Sequence, residues 1–358
     1  MAIRRAFIIV PSAVLDSPVK GAAALANSLT RWFDVTFVVL KGDMSNFSLL
    51  NDDVQKVILS EKGAIVQKIL FLRRLLREKG GRDQVVSISS CLSADFVNSF
   101  CVDVAVTCAT VRGDLPEVYP ITYGKLGKWV AYCHLKRLSK VDYAISMTLS
   151  MSKQVEAYIK KPSPIIGNFI DEARLDAFRR AKPLTGPYKF VYTGSLIYGK
   201  QPQLLVQAVV DLLDRGFDVE LDVLGDGPLL DELKCQAGDL FSLKSIRFHG
   251  YVKEPFKYIA AADVLVLPSI SEGVSRSVLE SLYLGIPSVV RNINGSSELV
   301  HDGVNGALFN EDADLPDVML RVAKLSRSNE WFREVLIPEC FRQYPSVEKY
   351  IKLLEKHC

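Results

Sequence analysis

The feature that most narrows the fold is an alternation that runs the length of the chain: short apolar stretches trade places with longer segments of helical spacing. In the first half, Ala6–Val10, Val35–Leu40, Gln84–Ile88, Val104–Cys108 and Tyr143–Ser146 read as strands, with a loop reaching Gly21 and a helix over Ala22–Trp32. In the second, Phe190–Thr193, Val219–Leu224, Ile246–Phe248, Val264–Leu267 and Ser288–Val290 do the same. Most of these runs do not alternate apolar with polar residues, so those strands must be covered on both faces. A parallel sheet flanked by helices does this, and the pattern predicts an α/β chain with doubly wound sheets.

A chain of 358 residues is too long for one ordinary core and fits two domains of about 150 residues each. The strand pattern starts afresh at Phe190 after a seam, residues 160–171 and then 179–189, punctuated by Pro162, Pro164, Pro183, Pro187, Gly167 and Gly186. The tail from Ser346 to Cys358 reads as an amphipathic helix with Val347, Tyr350, Ile351 and Leu354 on one side.

Apolar residues make up 49% of the chain and charged residues 24%, the balance of a globular rather than a disordered protein. No apolar run approaches the ~20 residues needed to cross a bilayer. The opening MAIRRAFIIVPS is too short in its apolar part for a secretory leader and lacks a small-residue cleavage site, so it reads as a first buried strand. Seven scattered cysteines, never spaced C-x-x-C, argue against a disulfide framework or a zinc site and for a reducing cytosol. His134, His249, His301 and His357 show no metal-ligand spacing. Residues 1–170 carry 22 Lys and Arg against 14 Asp and Glu, a net of +8, whereas residues 171–358 carry 22 against 27, a net of −5. A basic half suggests that the first domain meets something anionic.

Gly194, four further residues, Gly199 and Lys200 match the phosphate loop G-x-x-x-x-G-K, but its final Ser or Thr, the Mg²⁺ ligand, is Gln201. The most informative stretch is residues 269–291, SISEGVSRSVLESLYLGIPSVVR. The strand Val264–Leu267 ends at Pro268, a loop carries Glu272 and Gly273, and a helix runs to about Leu284, where Gly285 and Pro287 stop it. A turn of this kind at the carboxyl end of a parallel strand is where open α/β sheets bind ligands. The amides of Gly273 to Arg276 are expected to face outward with the positive end of the helix dipole, which suits a phosphate. Glu272 and Glu280, separated by seven residues, are expected to face the same crevice, where carboxylates suit the hydroxyls of sugar and ribose. Taken alone, Glu280 could instead close a capping box with Ser277, and Glu272 could be a solvated loop residue. GDGP at residues 225–228 lacks the third glycine of a dinucleotide fingerprint, with Leu230 in its place, and reads as a turn.

This E-x7-E pattern with its surroundings resembles the retaining nucleotide-sugar glycosyltransferases of glycosyltransferase family four, which have the GT-B fold. The likeness runs through Asn168-Phe169-Ile170-Asp171, Gly194-Ser195-Leu196 with Lys200, and Leu224-Gly225-Asp226-Gly227-Pro228. It continues in Phe248-His249-Gly250-Tyr251-Val252, Ala262-Asp263, Leu267-Pro268-Ser269, Glu272-Gly273 through Glu280, Gly295 to Glu298, and Asp302-Gly303-Val304-Asn305-Gly306. The order and spacing together are very specific.

The resemblance implies two Rossmann-like domains facing across a cleft: an acceptor domain over residues 1–168, onto which a C-terminal helix within 340–358 packs back, and a donor domain over 169–339. It implies transfer of a hexosyl or N-acetylhexosaminyl group from a UDP-sugar or other nucleotide sugar to a glycan or lipid-linked acceptor. The anomeric configuration is retained, and no metal or other cofactor is required. Catalysis falls to Glu272, Lys200 and Arg276, with Lys200 on the diphosphate, Glu272 on the sugar hydroxyls and Glu280 on the ribose. Donor contacts are expected from Gly21, Gly194, Ser195, Gly250, Tyr251, Val252, Ser271, Gly273, Val274 and Ser275. Ser195 stands where the family usually has Arg, and Arg276 is the expected substitute. In the first half only Lys20-Gly21-Ala22 remains of the family's paired glycines, and Arg112 stands near the position of its histidine, so Lys20 and Arg112 are acceptor-side candidates. His134 reads as structural.

Two basic helical stretches, residues 68–79 and 124–140, are solvated faces or docking surfaces for an anionic membrane or a lipid-pyrophosphate acceptor. No nucleic-acid module accompanies the charge. The expectation is a cytoplasmic enzyme, peripheral on the inner face of a membrane, in bacterial surface-polysaccharide or lipopolysaccharide assembly. The alternatives are a same-fold UDP-sugar epimerase and a non-catalytic sugar-nucleotide-binding protein.

Overall fold

The fold is that of a computed structural model, which describes residues 5–14, 16–44, 47–59, 63–179, 185–238, 240, 245–327 and 335–355. Residues 1–4 at the expected start of the first domain, Pro183 of the expected seam, and residues 356–358 of the expected tail helix lie outside the described residues. The chain divides into one unit of Met1–Ile170 with Glu339–Cys358 and a second of Asp171–Pro338.

The first unit holds a six-stranded parallel sheet of β1 (Arg5–Val10), β2 (Asp34–Val39), β3 (Gln55–Ile58), β4 (Val85–Ser90), β5 (Val106–Val111) and β6 (Tyr143–Ser146), in the order β3-β2-β1-β4-β5-β6. Its helices are α1 (Ser17–Leu29), α2 (Ile65–Glu78), α3 (Leu92–Asn98), α4 (Leu115–Tyr123), α5 (Gly127–Leu138), α6 (Leu149–Ile159) and the terminal Gln343–Glu355. Strand β1 shows why an all-apolar run means two covered faces. Ala6, Ile8 and Val10 join one core with α1 and the terminal helix, through Val347, Tyr350, Leu353 and Leu354. Phe7 and Ile9 join another with α2 and α3.

The second unit repeats the plan with β7 (Tyr188–Thr193), β8 (Val219–Leu224), β9 (Ile246–Gly250), β10 (Val264–Leu267), β11 (Ser288–Arg291) and β12 (Gly306–Phe309), ordered β12-β11-β10-β7-β8-β9. Its helices are α7 (Pro202–Asp214), α8 (Leu230–Ala237), α9 (Phe256–Ala260), α10 (Arg276–Tyr283), α11 (Ser296–Leu299) and α12 (Leu315–Ser326), which makes the terminal helix α13.

Several boundaries differ from expectation for local reasons. Helix α1 starts five residues early because Asp16 caps it, accepting from Val19 N at 2.9 Å, with a proline in its first turn. Gly21 therefore lies inside a helix rather than at the end of a loop. Strands β4 and β5 run on through Ser89, Ser90 and Thr110, whose hydroxyls find buried partners: Ser89 donates to Asp95 Oδ1 at 2.6 Å and Thr110 to Ser89 O at 3.0 Å. Strands β3 and β12 were not anticipated. Each has only four residues and occupies a sheet edge, where two-sided burial is not demanded.

In both sheets the strand order turns back at one place, between β1 and β4 and between β7 and β10. Loops leaving the carboxyl ends of those strands diverge there, and such switch points are where open α/β sheets bind ligands.

Candidate active site

At the second sheet's switch point, the loop from β7 to α7 meets the loop from β10 to α10. Ile270 N donates to Gly199 O at 3.1 Å, tying the two together. Lys200 Nζ then donates to Glu272 Oε1 at 2.5 Å. The Glu272 side chain is 9% exposed and that of Lys200 28%, so solvent screens this pair far less than a surface one. Tyr192 holds the first loop from below, its hydroxyl donating to Ser195 O at 2.8 Å. Burial, and then the Glu272 carboxylate, push that phenol well above its usual range.

Lys200 sits in a short 3-10 turn, Tyr198–Lys200. Gln201 follows in the left-handed region (φ 51°) and turns its amide back on Tyr198 O at 2.9 Å. The likeness to a phosphate loop ends here, since the amide standing in for the Mg²⁺-binding hydroxyl is occupied within its own turn.

The loops after β7, β8 and β9 are joined edge to edge. Gly194 N donates to Leu224 O (3.0 Å), Leu196 N to Asp226 O (2.9 Å) and Gly225 N to Gly250 O (2.8 Å). A Cβ on Gly225 would come within 1.8 Å of Gly194 O, so this glycine serves close backbone approach. Gly250, Tyr251 and Val252 thus share the carboxyl edge with Gly194 and the exposed Ser195. Beneath them His249 Nε2 lies 2.6 Å from Asp222 Oδ1, and Arg247 grips the same carboxylate at 2.8 and 3.0 Å. Burial pushes Asp222 up, but the bonds from Arg247 and His249 outweigh it and hold the carboxyl below its ordinary range.

Helix α10 is capped by Ser275, whose Oγ accepts from Val278 N at 3.5 Å. Ser277 is a helical residue 3.1 Å from that hydroxyl, so a capping box built on Ser277 is not formed. Glu280 is buried and instead accepts from Arg276 Nε at 2.9 Å, one turn apart. Arg276, expected to face a phosphate, is therefore anchored on Glu280. Its Nη1 is nonetheless buried without a partner, as are Ser269 Oγ and Ser271 Oγ. Buried polar atoms normally find partners, so three orphans within residues 269–276 offer bonds to an incoming anion or hydroxyl.

Gly295, just after β11, was quoted only as part of a motif and Ser269 was given no role; the structure supplies both. At φ 85°, a Cβ on Gly295 would sit 1.9 Å from Gly273 O and 2.9 Å from Glu272 O, so this loop props the backbone that carries Glu272 and Gly273, next to Val274. A glycine in the short loop after a strand is the available signal.

In the first unit Arg112 follows β5 immediately, and its guanidinium lies over Gly21, where an added Cβ would come 2.7 Å from Nη1. Lys20 is the adjacent residue of α1. Cys91 ends β4 at the switch point with φ 74° and ψ 156°, a backbone conformation almost reserved for glycine. Burial pushes its thiol up to about 12, with nearby Arg112 pulling the other way. His134 is a core residue: Nε2 lies 2.9 Å from Asp95 Oδ2 and Nδ1 2.7 Å from the Tyr119 hydroxyl.

Among the described residues, no three His, Cys, Asp or Glu side chains are grouped to hold a metal ion, and no helix is long and apolar enough to cross a membrane.

Residues 175–334 match the family profile described as Glycosyl transferases group 1. Over 125 residues the chain is 35% identical to an alpha-monoglucosyldiacylglycerol synthase of Streptococcus pneumoniae, covering 34% of this chain and 28% of that protein. It is 31% identical over 125 residues to the UDP-Gal:alpha-D-GlcNAc-diphosphoundecaprenol alpha-1,3-galactosyltransferase of Escherichia coli, covering 34% and 32%. The chain thus matches less than a third of either relative's length. The solved structure of Anabaena Alr3699/HepE in complex with UDP superposes with a TM-score of 0.77 over 98% of this chain and 100% of that one, at 14% identity. At that identity the likeness establishes the fold.

Proposed function

We propose, from the membership of residues 175–334 in the glycosyl transferases group 1 family, that the protein is a metal-independent, retaining glycosyltransferase using a UDP-sugar or another nucleotide sugar. The observation that carries the reading is the meeting of Lys200 and Glu272 at the switch point of the second sheet. A lone carboxylate repels a diphosphate. A carboxylate already neutralised by lysine can face hydroxyls while the ammonium is shared with phosphate.

In this reading Lys200 and Arg276 stabilise the departing diphosphate, Glu272 orients the sugar hydroxyls, and Glu280 meets the ribose while holding Arg276 in place. The leaving phosphate takes the acceptor's proton, so no side-chain base is required. Losing one such preorganised electrostatic contact typically lowers the rate ~10²–10³-fold. The UDP bound in the HepE structure and the UDP-Gal in the galactosyltransferase's name support a uridine donor. The lipids named in both relatives favour a lipid-linked acceptor, handled by the first unit on the cytoplasmic side of a membrane in surface-glycan assembly.

The test is a thermal-shift screen across UDP-, GDP- and ADP-sugars, followed by transfer assays on wild type and Glu272→Ala. A sugar-nucleotide shift and a wild-type transfer that Glu272→Ala loses are expected. If no sugar nucleotide raises the melting temperature and neither protein transfers sugar, the reading fails.

A further inference from the structure

The two basic helical stretches of the first unit look alike in sequence, and the structure separates them. On α2 the arginines are paired at home. Arg73 binds Asp103 through two bonds of 2.6 and 2.7 Å, Arg77 approaches the same carboxylate at 3.9 Å, and Arg74 binds Glu78 at 2.7 Å. Around α5 nothing comparable happens. Residues 118–141 contain five Lys and Arg and no Asp or Glu. Arg137 turns inward, stacking over the Phe100 ring at 4.0 Å and donating to Ser99 Oγ. Lys125, Lys128, Lys136 and Lys140 are exposed, and among the described residues none has an ion-pair partner.

Large apolar side chains stand among these ammonium groups. Leu126 is 68% exposed, Trp129 67% and Tyr132 54%. Trp129, Tyr132 and Lys136 follow at three- and four-residue steps along one side of α5, while Ala131, His134, Leu135 and Leu138 bury the other side in the unit's own core. The outward stripe is therefore spare: the fold does not need it, and water does not favour it. A bilayer surface suits both of its components. Indole and phenol rings settle at the headgroup level, and lysine stems lie along apolar surface with their ammonium groups at lipid phosphates.

We infer that the surface from Leu126 to Lys140 docks the first unit onto an anionic lipid bilayer. The inference rests on the proposed function only for its purpose, which is to seat the unit where a lipid-linked acceptor lies. Unopposed lysines spread over a flat helical face, with no acidic residue between them, match a sheet of anionic headgroups.

The test is flotation of the full chain with vesicles of phosphatidylcholine alone or mixed with phosphatidylglycerol. Binding is expected to the mixed vesicles only, weakening as salt shortens the screening length. Leu126→Glu with Trp129→Glu, and separately Lys125→Gln with Lys128→Gln, should each lower partitioning by about tenfold or more. Arg74→Gln with Arg77→Gln on α2 should leave it unchanged. Each variant is also screened for its sugar-nucleotide thermal shift, which reports folding of the second unit, and for its melting midpoint. If the glutamate variant misfolds, the lysine variant decides. Wild type that ignores anionic vesicles, or binds neutral ones equally, overturns the inference, and so does undiminished binding by a folded α5 variant. A dimer that the glutamate variant converts to monomer, without vesicle binding, assigns the face to a second copy and overturns it too. Vesicle binding without any sugar-nucleotide shift leaves the docking face standing and removes the transferase reading; the reverse result removes only the docking face.

Discussion

The two units share one sheet plan and fill its switch point with different chemistry. Between β7 and β10 the loops bring charge together, Lys200 on Glu272 and Arg276 on Glu280, in a stretch with three orphaned buried polar atoms. Between β1 and β4 the flanking residue is Cys91, in a glycine-like conformation with a protonated thiol, and Arg112 of the neighbouring strand rests on Gly21. Topology makes the crevice in both. What a crevice can bind depends on a few loop side chains, and the two crevices carry different ones.

The strongest way to break this comparison is to remove one cation from each unit. Lys200→Ala should lower the rate of transfer at saturating donor ~10²–10³-fold. Arg112→Ala should lower it by about tenfold at most, equivalent to ~1.4 kcal/mol. A larger loss at Arg112 would move the electrostatic centre to the first unit.

Glycine substitutions sharpen the contrast further. Gly295→Ala must push a Cβ against backbone carbonyls at positive φ, and should cost about 1–3 kcal/mol by chemical denaturation while weakening donor affinity. Gly21→Ala meets only the mobile tip of Arg112 and gains helix propensity. Its stability should change by no more than about 1 kcal/mol, with stabilisation the expected direction.

Each unit also carries a partly buried carboxylate that ties strands together, Asp222 to Arg247 and His249, and Asp142 to Arg82 and Thr107. Burial raises both, and the hydrogen bonds more than compensate, leaving both below the ordinary carboxylate range. A carboxyl depressed in the folded state stabilises above its unfolded pKa of about 4 and loses that contribution as pH falls through the folded value. Asp222→Asn should therefore cost about 1–2 kcal/mol near neutral pH, allowing for solvent screening, and the deficit should shrink in acid. A deficit that is constant with pH would mean that Asp222 acts through packing alone.

The site was legible in parts. Glu272, Gly194 and Lys200 stand in turns, and Glu280 in the helix that follows Glu272, in stretches whose spacing is itself the signal, so they could be named from the chain. Gly295 and Ser269 stand in quoted motifs, but their roles were not legible, because one acts through backbone proximity and the other through a bond left unmade. The role expected for Arg276 was incomplete, since helical geometry gives it to Glu280 four residues on.

Local sequence decided the strands most sharply where a run is apolar throughout, and Val264–Leu267 agrees residue for residue with expectation. Covering both faces is the only inexpensive fate for such a run, and that requirement belongs to the run itself. Tertiary structure decided what depends on a distant partner. Ser89, Ser90 and Thr110 could extend β4 and β5 only because Asp95 and their cross-strand neighbours satisfy their hydroxyls, and Lys200 reaches Glu272 across 72 positions of chain. Of two basic helices, one has its arginines paired, two of them with Asp103, 30 residues from Arg73, and the other keeps its lysines facing outward. A charge is spent or kept according to which carboxylate folding brings beside it, and composition along the chain carries no record of that.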